Sequence, residues 1–270
     1  MRYKREFVGE FLGTFLLVLF GCGAVAVTVL FAALQGLLQV AVVWGMGVTL
    51  AIYATRHLSC AHLNPAVSVA MVVGKRMLPD RLPTYLIAQF LGALLAACVL
   101  YALFSGSLNA YEAQHGIERG APDSIKTAMI FGEFYPNPGA GPAAEVSYFN
   151  AFVAEAIGTF ILVLLIFFLT EGCNVGRPED HLAPLFVGST VTAIICVIAP
   201  LTQAGLNPAR DLSPRLFAWA AGWGSAAFPD EHYGFLVIYV LAPLLGGVVA
   251  SLVFVRLLEP LMKGKSDNCC

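Results

Sequence analysis

The sequence predicts an all-α membrane protein, with six transmembrane helices and two re-entrant half-helices arranged as an inverted repeat. Three observations predict it. Of 270 residues, 59% are hydrophobic and only 12% are charged, about half the charged share of an ordinary water-exposed protein. The ionisable residues gather into short clusters between long neutral stretches, and two phrases of the first half recur in the second. This composition excludes a soluble enzyme and a disordered chain. A net charge of -2 excludes a nucleic-acid-binding surface, which needs a basic excess.

The neutral stretches place the spans. Phe11 to Thr55 holds no Asp, Glu, Lys or Arg over 45 residues, about 68 Å of helix against a hydrocarbon core of about 30 Å, so it contains two spans, with the turn at Gln35-Gly36. Met1 to Gly23 runs directly into a full-length span and reads as retained, not as a cleaved signal. Spans fall near 6–31, 36–55, 83–104, 148–170, 182–200 and 233–256. A polar connection from about Ser105 to Ser147, which includes Tyr135-Pro136-Asn137-Pro138-Gly139, joins the third to the fourth on the outer face. Residues 1–270 read as a single membrane domain.

Basic residues orient it. Arg2, Lys4, Arg5, Arg56, Lys75, Arg76, Arg81, Arg177, Arg256, Lys263 and Lys265 fall on one side, and Arg119, Lys126, Arg210 and Arg215 on the other, which puts both termini in the cytoplasm. The seven cysteines, Cys22, Cys60, Cys98, Cys173, Cys196, Cys269 and Cys270, are odd in number and mostly intramembrane, which predicts free thiols. Cys269-Cys270 reads as a chance tail and not a lipid anchor, since six spans already hold the chain in the bilayer. His57, His115, His181 and His232 show no metal-ligand spacing with the cysteines, and no cofactor motif is present.

The repeat sets the architecture. Glu10-Phe-Leu-Gly-Thr-Phe and Glu155-Ala-Ile-Gly-Thr-Phe lie 145 residues apart, and Asn64-Pro65-Ala66 and Asn207-Pro208-Ala209 lie 143 apart. Three spans per half turn the second half upside down relative to the first. Each Asn-Pro-Ala opens a segment too short to cross, Ala66 to Val73 and Ala209 to Trp219. Asn caps a helix N-terminus and Pro is preset for the first helical position. The two starts therefore meet near mid-membrane, where their dipoles oppose cations and protons. The Asn64 and Asn207 amides are expected to be free to bond a passing oxygen. One Asn-Pro-Ala is a capped turn, but two in register at membrane depth require a water-filled cavity. Gly13, Gly45, Gly92, Gly158, Gly188 and Gly246 read as helix-crossing contacts.

With both motifs intact, Ala61-His62 before the first and Arg210 after the second, nearly the whole chain resembles the major intrinsic protein family of aquaporins and aquaglyceroporins. The resemblance implies one pore per subunit, a homotetramer, and a constriction built from Trp44, Ile195, Ala204 and Arg210. An intramembrane Arg is costly unless it meets water, carbonyls or substrate, or snorkels to the surface. Trp44 offers an apolar wall. Ile195 stands where strict water channels usually carry His, and the Trp-aliphatic-Ala-Arg set is similar to that of plant nodulin-like channels. Asp211, Arg215 and the outer segment Phe217-Ala-Trp-Ala-Ala-Gly-Trp-Gly resemble the glycerol branch, whereas Tyr239-Val240 is mixed. By resemblance, Glu10 and Glu155 brace the re-entrant loop of their own half. The other reading makes them a proton relay. His62 lines the cytoplasmic vestibule or satisfies loop backbone. Cys60 and Cys196 lie near the pore.

The expectation is a passive, non-enzymatic channel for glycerol and related small uncharged solutes with some water, in a bacterial inner membrane. Its partners would be that solute, water, the lipid bilayer and sister subunits, with no nucleic acid. The alternatives are a water-selective channel, an ion-coupled transporter using Glu10 and Glu155, and a membrane enzyme, for which no nucleophile-base or metal constellation is visible.

Overall fold

The structure, a computed structural model, describes residues 3–141, 145–228 and 233–263. Arg2, His232, Lys265 and the Cys269-Cys270 pair lie outside the described residues. Six helices are long and apolar enough to cross a membrane, and no strand occurs among the described residues. In chain order the helices are α1 (Lys4–Phe31), α2 (Leu37–Thr55), the half-helix α3 (Pro65–Val73), α4 (Leu82–His115), α5 (Tyr148–Thr170), α6 (Ala183–Thr202), the half-helix α7 (Pro208–Ala218) and α8 (Gly234–Lys263). The last is interrupted by π-helical turns at Val237–Leu241 and Phe254–Leu258.

The clearest departure from the sequence expectation is the third span. It continues past residue 104 to His115, because Gly116 (φ 64°) is the first residue that supplies the left-handed C-cap. The polar residues Ser105, Ser107 and Asn109 are tolerated in this extension, and Glu112 is buried there. The connection is therefore shorter than predicted, and it is folded. It contains the short helix Ile125–Ala128 and buries Ile130, Phe131 and Phe134 against Trp223 and Ala227. Arg119 anchors it, ion-paired to Glu112 at 2.7 Å with its guanidinium 4.3 Å from the Trp223 ring. The sixth span also runs past residue 256, to Lys263.

The repeats interlock. Within the halves α1 packs on α2 and α4, and α5 packs on α6 and α8. The half-helices cross over, α3 against α8 and α7 against α4, so one core draws on both repeats, from Leu17 and Trp44 to Ile195 and Leu206. At the face carrying both termini, Arg5 donates to the His57 carbonyl and Arg76 pairs with Glu171 at 2.5 Å and with Glu259 at 3.0 Å.

Close approach of α2 and α6 joins the halves. A Cβ on Gly45 would collide with the Gly188 carbonyl, and one on Gly188 with the Gly45 carbonyl. One turn on, Thr49 donates to the Pro184 carbonyl at 3.3 Å and Thr192 to the Ala41 carbonyl at 3.1 Å. Without a hydrophobic driving force in lipid, such backbone contact and interhelical bonding supply the attraction. The other expected crossing glycines are also close-packed: Gly92 and Gly246 meet the Phe11 and Ala156 carbonyls, while Gly13 and Gly158 meet the side chains of Leu63 and Leu206.

Overpacking this contact is expected to be costly. Gly45→Ala or Gly188→Ala should each lower stability by about 1–3 kcal/mol, read as a lower midpoint of thermal unfolding in detergent. Gly106→Ala, in a helix position with nothing within 4 Å, should instead raise stability by about 0.5–1 kcal/mol. Equal midpoints for Gly45→Ala and the parent would contradict the packing argument.

Candidate functional site

Two loops turn back into the helix bundle, and each is held by a wholly buried glutamate from the first helix of its own repeat. Glu10 accepts from the backbone of His62 at 3.0 Å and Leu63 at 2.8 Å, from Ser59 Oγ at 2.7 Å and from Gln89 Nε2 at 2.8 Å. Glu155 accepts from the backbone of Gly205 at 2.9 Å and Leu206 at 2.7 Å, and from Thr202 Oγ1 at 2.6 Å. The loops need such anchors. Ala61 (φ 50°), Leu63 (φ 55°), Ala204 (φ 61°) and Leu206 (φ 54°) all sit in the left-handed region, of order 1–3 kcal/mol of strain apiece. Residues of both loops line one cavity.

Each loop ends in an Asn N-cap. Asn64 Oδ1 accepts from Ala66 N at 2.8 Å, and Asn207 Oδ1 accepts from Ala209 N at 3.1 Å and Arg210 N at 3.2 Å. Pro65 and Pro208 occupy the first helical positions. The side-chain amides are not free, contrary to the sequence expectation. Asn64 Nδ2 donates to the Leu206 carbonyl at 2.9 Å and Asn207 Nδ2 to the Leu63 carbonyl at 2.8 Å. Those carbonyls would otherwise be buried without partners, so each amide commits one of its two N–H groups across the repeat boundary and keeps one.

The cavity has a volume of about 390 Å³. Trp44, Ile195, Ala204 and Arg210 all line it, as do His62, Asn64 and Asn207, and it runs to Arg56, Arg76 and Asp180 at the terminal face. Trp44 can lie against α1 because Gly21 has no side chain to meet its ring. Arg210 does not snorkel; it is 4% exposed, with its guanidinium carbon 4.3 Å from the Trp44 ring centroid. It pairs with Glu133, and its Nη1 has no hydrogen-bond partner among the described residues. His62 both faces the cavity and bonds Ser68 Oγ at 3.2 Å through Nδ1. Of the two cysteines expected near the pore, Cys60 lines the cavity and Cys196 does not; Tyr239 and Val240 also lie outside its lining.

Asp211 and Arg215 are brought to the site but not to the cavity. Arg215 forks onto Asp211 at 2.7 and 3.1 Å, donates to the Ala227 carbonyl at 2.6 Å and also donates to the Glu133 carbonyl. Asp211 accepts from the Glu133 backbone N–H at 2.7 Å. This pair therefore pins the connection onto α7. Sequence reasoning missed Glu133 altogether. Its flanks, Phe131-Gly132 and Phe134, signalled burial within a polar connection, but nothing in the sequence signalled which cation it meets.

Comparison with known proteins agrees with this geometry. The family model described as major intrinsic protein matches residues 1–254. The chain is 41% identical to a glycerol uptake facilitator protein of Haemophilus influenzae, over 92% of this chain and 91% of that protein. It is 39% identical to a glycerol uptake facilitator protein of Escherichia coli (strain K12), over 93% and 85%, and 35% identical to a propanediol uptake facilitator of Citrobacter freundii, over 93% and 91%. Among solved structures, the aquaglyceroporin from Plasmodium falciparum superimposes with a TM-score of 0.81 at 29% identity, covering 97% of this chain and 99% of that one.

Removing a loop anchor should strand buried donors. Glu155→Ala leaves the Gly205 and Leu206 N–H groups unpaired at about 1–3 kcal/mol each, so a loss of about 3 kcal/mol or more is expected on detergent unfolding. Glu155→Gln, which keeps one acceptor oxygen, should fall between. An Ala variant as stable as the parent would show that the glutamate does not hold the loop.

Proposed function

The chain belongs to the major intrinsic protein family, and from that premise we propose that it is a passive channel for glycerol and related small uncharged solutes, with water as a lesser permeant. One observation carries the reading: the cavity lining combines apolar and polar groups. Leu17, Trp44, Val48, Val187, Val191 and Ile195 supply apolar surface, while Arg210, Asn64, Asn207 and the re-entrant loops supply polar groups. A polyol combines the same two characters, a carbon chain and a row of hydroxyls. The Arg210 guanidinium and the uncommitted N–H of each Asn amide are the donors that would meet the hydroxyls, while CH groups slide along Trp44.

The alternatives fit less well. A water-selective filter is narrow and polar, and Ile195 makes the corresponding wall apolar. Proton coupling needs a carboxylate that can gain and lose a proton as solute passes. Glu10 and Glu155 are instead occupied by loop donors and line no part of the cavity. The names of the bacterial relatives, two glycerol uptake facilitators and a propanediol uptake facilitator, support glycerol or a similar diol as solute, and support the bacterial inner membrane as location. The excess of Lys and Arg on the terminal face supports cytoplasmic termini. Outward apolar residues on α5 and α6, Ile157 at 50% and Val197 at 75% exposed, suit lipid or sister subunits of a homotetramer.

Stopped-flow light scattering on proteoliposomes tests the reading. Glycerol should enter well above the rate of empty liposomes and show no dependence on a pH gradient; flux at the empty-liposome rate would refute it. Ile195→His should cut glycerol flux about tenfold, the scale of a small change in pocket shape and polarity, while water still passes. A protease-accessible tag on either terminus should be cut from the cytoplasmic side of membrane vesicles only.

A further inference from the structure

We propose that Glu133 is a specificity-determining residue of the channel: its carboxylate, placed behind Arg210, cancels the positive charge of the constriction and so excludes anions. The inference rests on the channel reading above and concerns the same constriction. Two groups of positive sign converge there. Arg210 lines the cavity with one nitrogen unpaired, and the N-termini of α3 and α7 meet at Asn64 and Asn207, each carrying a partial positive charge. Such a field repels cations and protons. By the same sign it would attract anions, and in a low-dielectric cleft a single-sign field raises the local counter-ion concentration by about 10 to 10³-fold. A channel that excludes ions of both signs needs a compensating negative charge close by.

Glu133 is that charge. Its side chain is wholly buried and ion-paired to Arg210, yet it does not line the cavity, so it offsets the charge without narrowing the path or meeting the solute. The neighbouring acid cannot serve, because Asp211 is already forked onto Arg215. The backbone that carries the carboxylate is held on both sides. The Glu133 N–H is bound by Asp211 at 2.7 Å, and its carbonyl is bound by Arg215. These two bonds use backbone atoms, so replacing the side chain leaves the connection pinned to α7. Charge at residue 133 can therefore be changed separately from loop position.

The test compares ion fluxes of opposite sign in proteoliposomes, with iodide influx followed by a halide-quenched dye and rubidium influx by tracer. The parent should pass neither. Glu133→Gln should raise iodide influx at least about tenfold and leave rubidium at background. The double variant Glu133→Gln/Arg210→Gln, neutral again, should return iodide to background. Iodide influx at the parent level in Glu133→Gln overturns the proposal. So does an equal leak of both ions, which would report a widened path, or an iodide leak that persists in the double variant. If Glu133→Gln does not elute as a monodisperse particle, Glu133→Ala replaces it with the same expectation and the same disproof. Glycerol flux of the parent protein, measured in the same vesicles, reads separately whether the channel premise itself fails.

Discussion

A peptide group that turns around at the depth of the hydrocarbon has no water to bond, and this chain turns around there twice, at Leu63 and Leu206. Each unsatisfied N–H or C=O would cost several kcal/mol in lipid. The rest of the structure follows from how those groups are satisfied. Glu10 and Glu155 take the loop N–H groups of Leu63 and Leu206, and Asn207 and Asn64 take the carbonyls of the same two residues. The glutamate bonds act within a repeat and the asparagine bonds between repeats, so neither loop is satisfied unless both halves are in place. This is the physical reason that the half-helices cross over onto the partner half.

Symmetry supplies the framework, and it breaks around Arg210. Gly45 and Gly188, with Thr49 and Thr192, form a contact that is the same seen from either half. Glu10 and Glu155 are likewise equivalent. The residues around Arg210 are not. Position 210 follows the second Asn-Pro-Ala, whereas Val67 follows the first, and Asp211 stands where the first half has Ser68. The two ends of the cavity therefore differ in charge even though the scaffold around them repeats. In the first half Ser68 joins His62 and Gln89, and Gln89 reaches the Glu10 carboxylate; in the second, two arginines and two acids are gathered at the end of the cavity that carries the connection.

Those four charges couple the connection to Arg210 in the cavity lining. Arg215 and Asp211 hold the backbone of residue 133, and residue 133 holds Arg210. A buried ion pair is weak evidence of stability, because desolvation offsets most of the attraction. It is better evidence of placement: the guanidinium 4.3 Å from the Trp44 ring centroid is paired with a carboxylate whose backbone is held by Asp211 and Arg215.

Much of this was legible in the sequence, because solvent and periodicity act locally. Scarce charge and long apolar runs suit lipid, an Asn-Pro-Ala repeated in register starts a half-helix in each repeat, and an odd number of spans per repeat inverts the second half. The glutamates were identifiable because a carboxylate in an apolar span requires partners, and the repeat pointed to loops of the same half. The tertiary structure alone decided what depends on meeting across the chain. It showed that the asparagine amides are half committed, since the Leu63 and Leu206 carbonyls that claim them come from the opposite loop. It showed that the third helix extends to His115, since Glu112 is buried only when Arg119 and Thr127 fold back on it. Above all it brought Glu133 to Arg210 from 77 residues away in sequence. A polar loop carries no periodicity from which its fold can be read, so the partner of Arg210 is fixed only once the connection packs over the end of the cavity.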